Sequence, residues 1–367
     1  MMQATTINRE SAAGANPASD AQNLRGAGND MEMIKAASSL TRDLNAANPV
    51  IYWADFVASA LTGYAALFAA IFAPSIWLCL LAAALSILAL YRAGSFIHEL
   101  THIKRRDVPG FHLAWNIMAG IPLMIPSFMY EGVHNQHHMP KRYGTVQDPE
   151  YLPLALMKPY TVPLFVLVAA LGPIGLLIRY ALLAPLSLAI PPLRRIVVER
   201  YSGLVINPEF RRRMPEGEER SRWIALEIAT SIWAIGLLTL TATGIIPLAA
   251  FLTFLGIASG TMVINQVRTL VAHLWENDGG EMNATQQYLD SVNVPPPATL
   301  PALWAPVGLR YHALHHLLPG VPYHNLGEAH RRLIGALPDA SSYHGANYAG
   351  LPGLVKQLVG STFKRGQ

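Results

Sequence analysis

The sequence predicts an all-α integral membrane protein, with four transmembrane helices in two hairpins and a helical cap on one face. Three observations predict it. The 367-residue chain is 52% hydrophobic and only 14% charged, whereas roughly a quarter of the residues in a soluble domain are charged. Four apolar stretches are each long enough to cross the roughly 30 Å hydrocarbon layer as a helix. Within each pair the connection is short and uncharged, so the chain returns twice to its starting side.

Taken in order, the first 30 residues are rich in Ala, Asn, Ser and Gly and lack the apolar stretch of a secretory signal. Residues 1–45 are expected to form a disordered polar tail, in which 31–45 has the pattern of a short amphipathic helix on the bilayer surface. The first span is expected over 51–73, ended by Pro74-Ser75, and the second over 76–93. The third runs over 223–243, with Glu227 near its start, and the fourth over 245–267. The N-terminus, the segment 94–222 and the chain after Arg268 then share one face. Two apolar stretches are less regular. Gly120, Pro122 and Pro126 punctuate 111–129, which reads as an interfacial or re-entrant element. Gly172-Pro173, Arg179 and Pro185 interrupt 161–190. A single crossing there would place the later histidines opposite the earlier ones, so this stretch is expected to dip in and return, or to cross twice. The membrane-embedded domain is expected over 46–340, followed by a C-terminal tail, 341–367.

Charge gives the sidedness. The net charge is +4, and the cationic clusters Lys104-Arg105-Arg106, Lys141-Arg142, Arg194-Arg195 and Arg211-Arg212-Arg213 all lie on the shared face. The hairpin tips carry none, which places that face in the cytoplasm by the positive-inside rule. These clusters read as topology signals and anionic-lipid contacts, not as a nucleic-acid site. The single cysteine, Cys79, lies in an apolar run and excludes both a disulfide framework and a cysteine metal site.

Eight of the 13 histidines fall in three boxes on the same face: His98 and His102, then His134, His137 and His138, then His312, His315 and His316. His273 stands alone at the end of the fourth span. Neutral imidazole is a common ligand for iron, copper and zinc. Residues four apart share a helix face, so His98 and His102 can converge on one ion. Adjacent residues diverge by about 100°, so His137 and His138 need not serve the same ion, nor His315 and His316. So many imidazoles exceed one metal and suit two. His112, His324, His330 and His344 read as ordinary surface or core residues, although His324 has a second possible reading beside the metal ligands or at the substrate opening. The first box also fits H-E-x-x-H, a zinc protease signature with Glu99 as the base, but that leaves the other boxes unexplained. Glu99 is expected instead to bond a ligand histidine or to pair with Lys104 or Arg105.

In type, order and spacing between spans, the three boxes resemble those of the membrane fatty acid desaturases, whose superfamily includes lipid and alkane hydroxylases. The resemblance covers 51–333. It extends to Arg268-Thr269-Leu270-Val271-Ala272-His273 and to the run from His315 to Leu326. It implies that all nine histidines, His98, His102, His134, His137, His138, His273, His312, His315 and His316, hold two iron ions (a non-haem di-iron site) in the cytosolic cap. It further implies O₂ as co-substrate, a lipid acyl chain as substrate, and introduction of a C=C bond. A hydroxylase on the same centre is the runner-up; a zinc protease on the first box is a distant alternative, and a metal transporter a poorer one. Trp115, Phe128, Met129, Trp275 and Trp304 are candidates to line an acyl channel, or equally to pack a core. Three features depart from relatives: a first-box separation of four, Thr269 where some have a water-bridging asparagine, and no haem-binding His-Pro-Gly-Gly. Electrons are therefore expected from a separate ferredoxin, rubredoxin or cytochrome b5-like partner docking on the basic patches, at a bacterial inner membrane.

Overall fold

The computed structural model describes residues 28–364; the disorder expected for 1–27 lies outside the described residues. Among those described, regular structure is helical, with three isolated β-bridges and no strand. Helix α1 (Met31–Leu40) leads to α2 (Pro49–Ile71), whose first turn is capped by the Asn48 side chain accepting from Val50 and Ile51 N–H. Helix α3 (Ile76–His102) starts at a Ser75 cap and runs unbroken for 27 residues, about 40 Å. That exceeds the hydrocarbon layer by roughly 10 Å. The second span therefore does not stop near residue 93, and its last turns carry His98 and His102 out of the apolar layer.

Helices α2 and α3 pack closely where Gly63 meets Leu90; a Cβ on Gly63 would lie 2.6 Å from Leu90 Cδ2. Ser86 Oγ donates to Gly63 O there, and Arg92 pairs with both oxygens of Asp55 nearer the cap. After short helices α4 (Phe111–Trp115) and α5 (His134–His137), the chain reaches α6 (Thr161–Ala170) and α7 (Gly172–Ala189), the latter with a π-helical middle turn. The return helix α8 (Pro191–Tyr201) follows, then the second hairpin, α9 (Gly217–Ala242) and α10 (Leu248–Leu270).

Among the described residues, five helices are long and apolar enough to cross a membrane, the four expected spans and Gly172–Ala189. Its contacts fit the dip-and-return path. Ala170 O accepts from Ser259 Oγ, halfway along α10. Nine residues later Arg179 is back at cap level, donating to Tyr201 O and Ser202 Oγ and pairing with Glu227. Gly172-Pro173 supplies the break, and the apolar faces of α6 and α7 explain why hydropathy alone suggests a crossing.

Glu227 also pairs with Arg194 at 2.6 Å, and it is buried with Arg179. Arg194 and Arg212 therefore serve the fold more than the lipid surface. Arg212 lies over the Trp223 ring and donates to Ser202 O and Glu131 O. Glu227→Gln leaves two cations facing a neutral amide; we expect a loss of about 3–5 kcal/mol, read as a lowered midpoint of thermal unfolding in detergent. An unchanged midpoint would contradict this account of the segment.

The cap is completed by α11 (Ala284–Asp290), α12 (Pro301–Trp304), α13 (His312–Leu317), α14 (Leu326–Ala336) and α15 (Leu351–Lys364). Both expected tails contribute. Met33, Ala37 and Leu44 are buried with Leu333 and Tyr343, so 31–45 packs on protein and not on the bilayer. Leu354 and Leu358 of α15 are buried against Leu270 and Trp275. The folded unit thus extends beyond 46–340 at both ends, because these amphipathic faces find apolar partners distant in sequence.

Candidate metal centre

Helix α3 presents His98 and His102 on one face at its cap end. Helix α5 is a single turn, with His138 just past it, so that 134 and 138 share a side while 137 points elsewhere. Helix α13 begins on His312, and its N-terminal half is fixed by Ala313 N–H donating to Val292 O and Leu314 N–H donating to Asn293 Oδ1. His273 follows α10, and a bridge to Ser291 holds its backbone.

The nine predicted histidines meet in two groups. His98, His102, His134, His138 and His315 form one; His137, His273, His312 and His316 form the other. Within each group, one nitrogen per ring lies within 4.8 Å of all the others. Each adjacent pair is split: His137 from His138, and His315 from His316. The groups abut, since His138 and His316 stack with ring centroids 4.4 Å apart. His112, His324, His330 and His344 join neither. His112 bonds Leu100 O, His324 accepts from Asn48 N–H, and His330 bonds Tyr343 Oη.

The spacing suits metal. Imidazole nitrogens about 2.1 Å from one ion, at angles of 90–110°, are roughly 3.0–3.4 Å apart. The Nε2 atoms of His134 and His138 are 2.9 Å apart, and those of His138 and His315 3.2 Å. In the second group, His312 Nε2 is 3.1 Å from His273 and 3.2 Å from His316. Both nitrogens of His98 and Nε2 of His102 are buried without a hydrogen-bond partner. Buried polar atoms without a partner are rare and costly. A metal at the centre of the group satisfies one nitrogen of His98 and Nε2 of His102, so these residues fit a di-metal site.

A set of residues that the sequence did not point to orients the rings. His134 Nδ1 meets Glu150 at 3.0 Å and Tyr130 Oη at 2.9 Å. His137 Nδ1 meets the buried Asp148 at 2.8 Å, and Asp148 also accepts from Gly144 and Glu150 N–H. His273 Nδ1 meets Tyr143 Oη, which donates to Asp290. A carboxylate on Nδ1 keeps the proton there and leaves Nε2 free to bind. Asp148 and Glu150 follow the second box by about a dozen residues in Asp148-Pro149-Glu150, a visible if weak signal. Asp290 and Tyr143 gave none.

Electrostatics favour ligand forms. Burial, reinforced by the neighbouring rings, holds His134, His138, His273, His315 and His316 well below the ordinary imidazole value, in the neutral state that binds metal. His137 differs: burial pushes it down, but the charge and bonds of Asp148 hold it above that value. Burial pushes Glu150 up to about 7 and Asp290 to about 6.

Glu99 corrects an expectation. It accepts from Tyr52 Oη and from Tyr323 N–H, comes no nearer than 3.7 Å to His98 Nδ1, and pairs with neither Lys104 nor Arg105. The channel candidates Trp115, Phe128, Met129 and Trp275 are all buried in the packed clusters. Trp304 is half-buried, its carbonyl accepting from Tyr91 Oη.

Two adjoining nests of imidazoles, set where apolar helices enter a polar cap, form a candidate di-metal site of a membrane protein. Residues 72–347 match the fatty acid desaturase family, and the chain belongs to it. Among individual proteins, it is 49% identical over 336 residues to a ceramide hydroxylase of Caulobacter vibrioides (strain NA1000 / CB15N), covering 92% of this chain and 94% of that protein.

Proposed function

We propose that this chain is an O₂-dependent di-iron hydroxylase of a ceramide-like lipid, the runner-up of the sequence reading rather than desaturation. The observation that carries it is the 49% identity to a ceramide hydroxylase along nearly the whole of both chains. The first histidine group holds one iron and the second the other. Bound iron supplies the O₂ chemistry that breaks an unactivated C–H bond, which no side chain can do. The net reaction consumes the lipid, O₂, two electrons and two protons, and yields an alcohol and water. The protein's part is to hold the nine rings, to keep Nδ1 protons on His134 and His137 through Glu150 and Asp148, and to exclude bulk water from a buried site. Electrons come from a separate redox protein at the cytoplasmic face of a bacterial inner membrane.

Lipid mass spectrometry of a host expressing the chain, with and without His98→Ala, tests the reading. A ceramide heavier by one oxygen supports it, and a product lighter by two hydrogens restores desaturation. The protease alternative meets a specific obstacle, because Glu99 Oε2 is already engaged by Tyr52 Oη and Tyr323 N–H, and the reading leaves the second histidine group without a role. Glu99→Gln keeps one oxygen in place of Oε2, which can accept from both Tyr52 Oη and Tyr323 N–H. We expect it to retain at least about a tenth of the hydroxylating activity, the mild end of an outer-shell change, whereas a protease base would lose essentially all activity.

A further inference from the structure

Most buried cations of the cap are held by an ion pair or by two carbonyl oxygens, and Arg268 is held by neither. Arg179 and Arg194 pair with Glu227, and Arg212 and Arg310 each donate to two carbonyl oxygens. Arg268, in the last turn of α10, is 8% exposed, and among the described residues no carboxylate forms an ion pair with it. Its hydrogen bond is from Nη2 to His312 Nδ1, at 3.0 Å. The other groups that act on it electrostatically are the phenols of Tyr91 and Tyr130 and the carboxyl of Glu150, the last already engaged by His134 and Tyr130. A guanidinium carries five N–H groups and no acceptor, and the bond to His312 engages one nitrogen of the three. The bond to His312 is itself conditional. An imidazole bound to metal through Nε2 carries its proton on Nδ1, which then no longer accepts.

The position of this charge is informative. Beside it is the second histidine group. Near it too is Tyr91 of α3, which acts on it electrostatically and whose Oη donates to Trp304 O. Trp304 ends the short α12, which contacts both α3 and α10, and Leu303 and the preceding Leu300 are exposed. Arg268 thus touches the second histidine group through His312 and neighbours Tyr91, which is bonded to the half-buried Trp304 beside the exposed Leu300 and Leu303. A buried charge without an anion is costly, and costly groups persist where a ligand completes them.

We propose that Arg268 recognises the polar junction of the substrate, donating to a carbonyl or hydroxyl oxygen of a ceramide-like lipid, and so fixes which carbon lies at the histidine clusters. This rests on the reading of the chain as a lipid hydroxylase.

The test uses the full-length, iron-loaded protein in detergent. A fluorescent ceramide is displaced by unlabelled ceramide or by a hydrocarbon of matching chain length, with iron content measured alongside. Arg268→Met is expected to weaken ceramide about tenfold or more, the loss typical of a charged hydrogen bond, while hydrocarbon binding and iron content hold. Arg268→Lys, which keeps the charge but not the fork, is expected to lose about threefold in affinity and to scatter the product over neighbouring carbons. Unchanged ceramide affinity in an iron-replete Met variant overturns the proposal. So does loss of iron with ceramide binding intact, which makes Arg268 a support for His312. If the Met variant does not fold, a Lys variant with wild-type affinity and one unchanged product position overturns it equally. Arg268-dependent ceramide binding without oxidation leaves the proposal standing and defeats the hydroxylase reading.

Discussion

Alanine at His138 is expected to strip the metal from the first histidine group, and alanine at His137, one residue earlier, to strip it from the second. The two rings leave a single helical turn on diverging sides, and each completes a different group. Both variants should fall to background activity, a larger loss than the roughly 10–100-fold that follows removal of an outer-shell partner. Elemental analysis of the purified proteins separates them from a general collapse: each should retain about one iron per chain, and spectroscopy should distinguish which. His112→Ala, a buried histidine outside both groups that bonds Leu100 O, should keep both ions. Loss of both ions from either single variant would mean that the groups are one site.

Asp148→Asn carries the next largest effect. Asp148 is fully buried and receives His137 Nδ1–H together with the N–H groups of Gly144 and Glu150. The amide preserves shape but removes the charge that holds the ring's orientation and basicity. We expect a roughly 10–100-fold loss of metal affinity in the second group, with the first untouched. Tyr143→Phe, which removes the hydroxyl on His273 Nδ1 but no charge, should cost less. Metal titration of the two variants checks the order, and a larger effect for Tyr143→Phe would reverse our ranking of the supports.

Much of this was legible in the sequence because histidine spacing on a helix is a local property. The four-residue separation put 98 with 102, and the divergence of neighbours allowed 137 and 138, and 315 and 316, to serve different ions; that 134 goes with 138 and not 137 came from the fold. The spans were legible for the same reason, except that α3 continues to His102 where the apolar run ends, since backbone bonding does not stop with hydropathy. What was not legible is what long-range packing decides. Asp290 reaches Tyr143 and Tyr151 across more than a hundred residues. Met33 and Leu354 look like tail residues until Leu333 and Trp275 are folded against their neighbourhoods. Glu99 was assigned to the wrong partners because Tyr52 and Tyr323 lie on other elements. The choice between hydroxyl and double bond lies deeper still, since the ligand set is common to both.

Metal stoichiometry tests the central claim most directly. Inductively coupled plasma mass spectrometry of active, full-length protein, purified without chelator, should find two irons per chain, falling to about one in the His137→Ala and His138→Ala variants. One zinc per chain with no iron, in protein that retains activity, would contradict the account at its root.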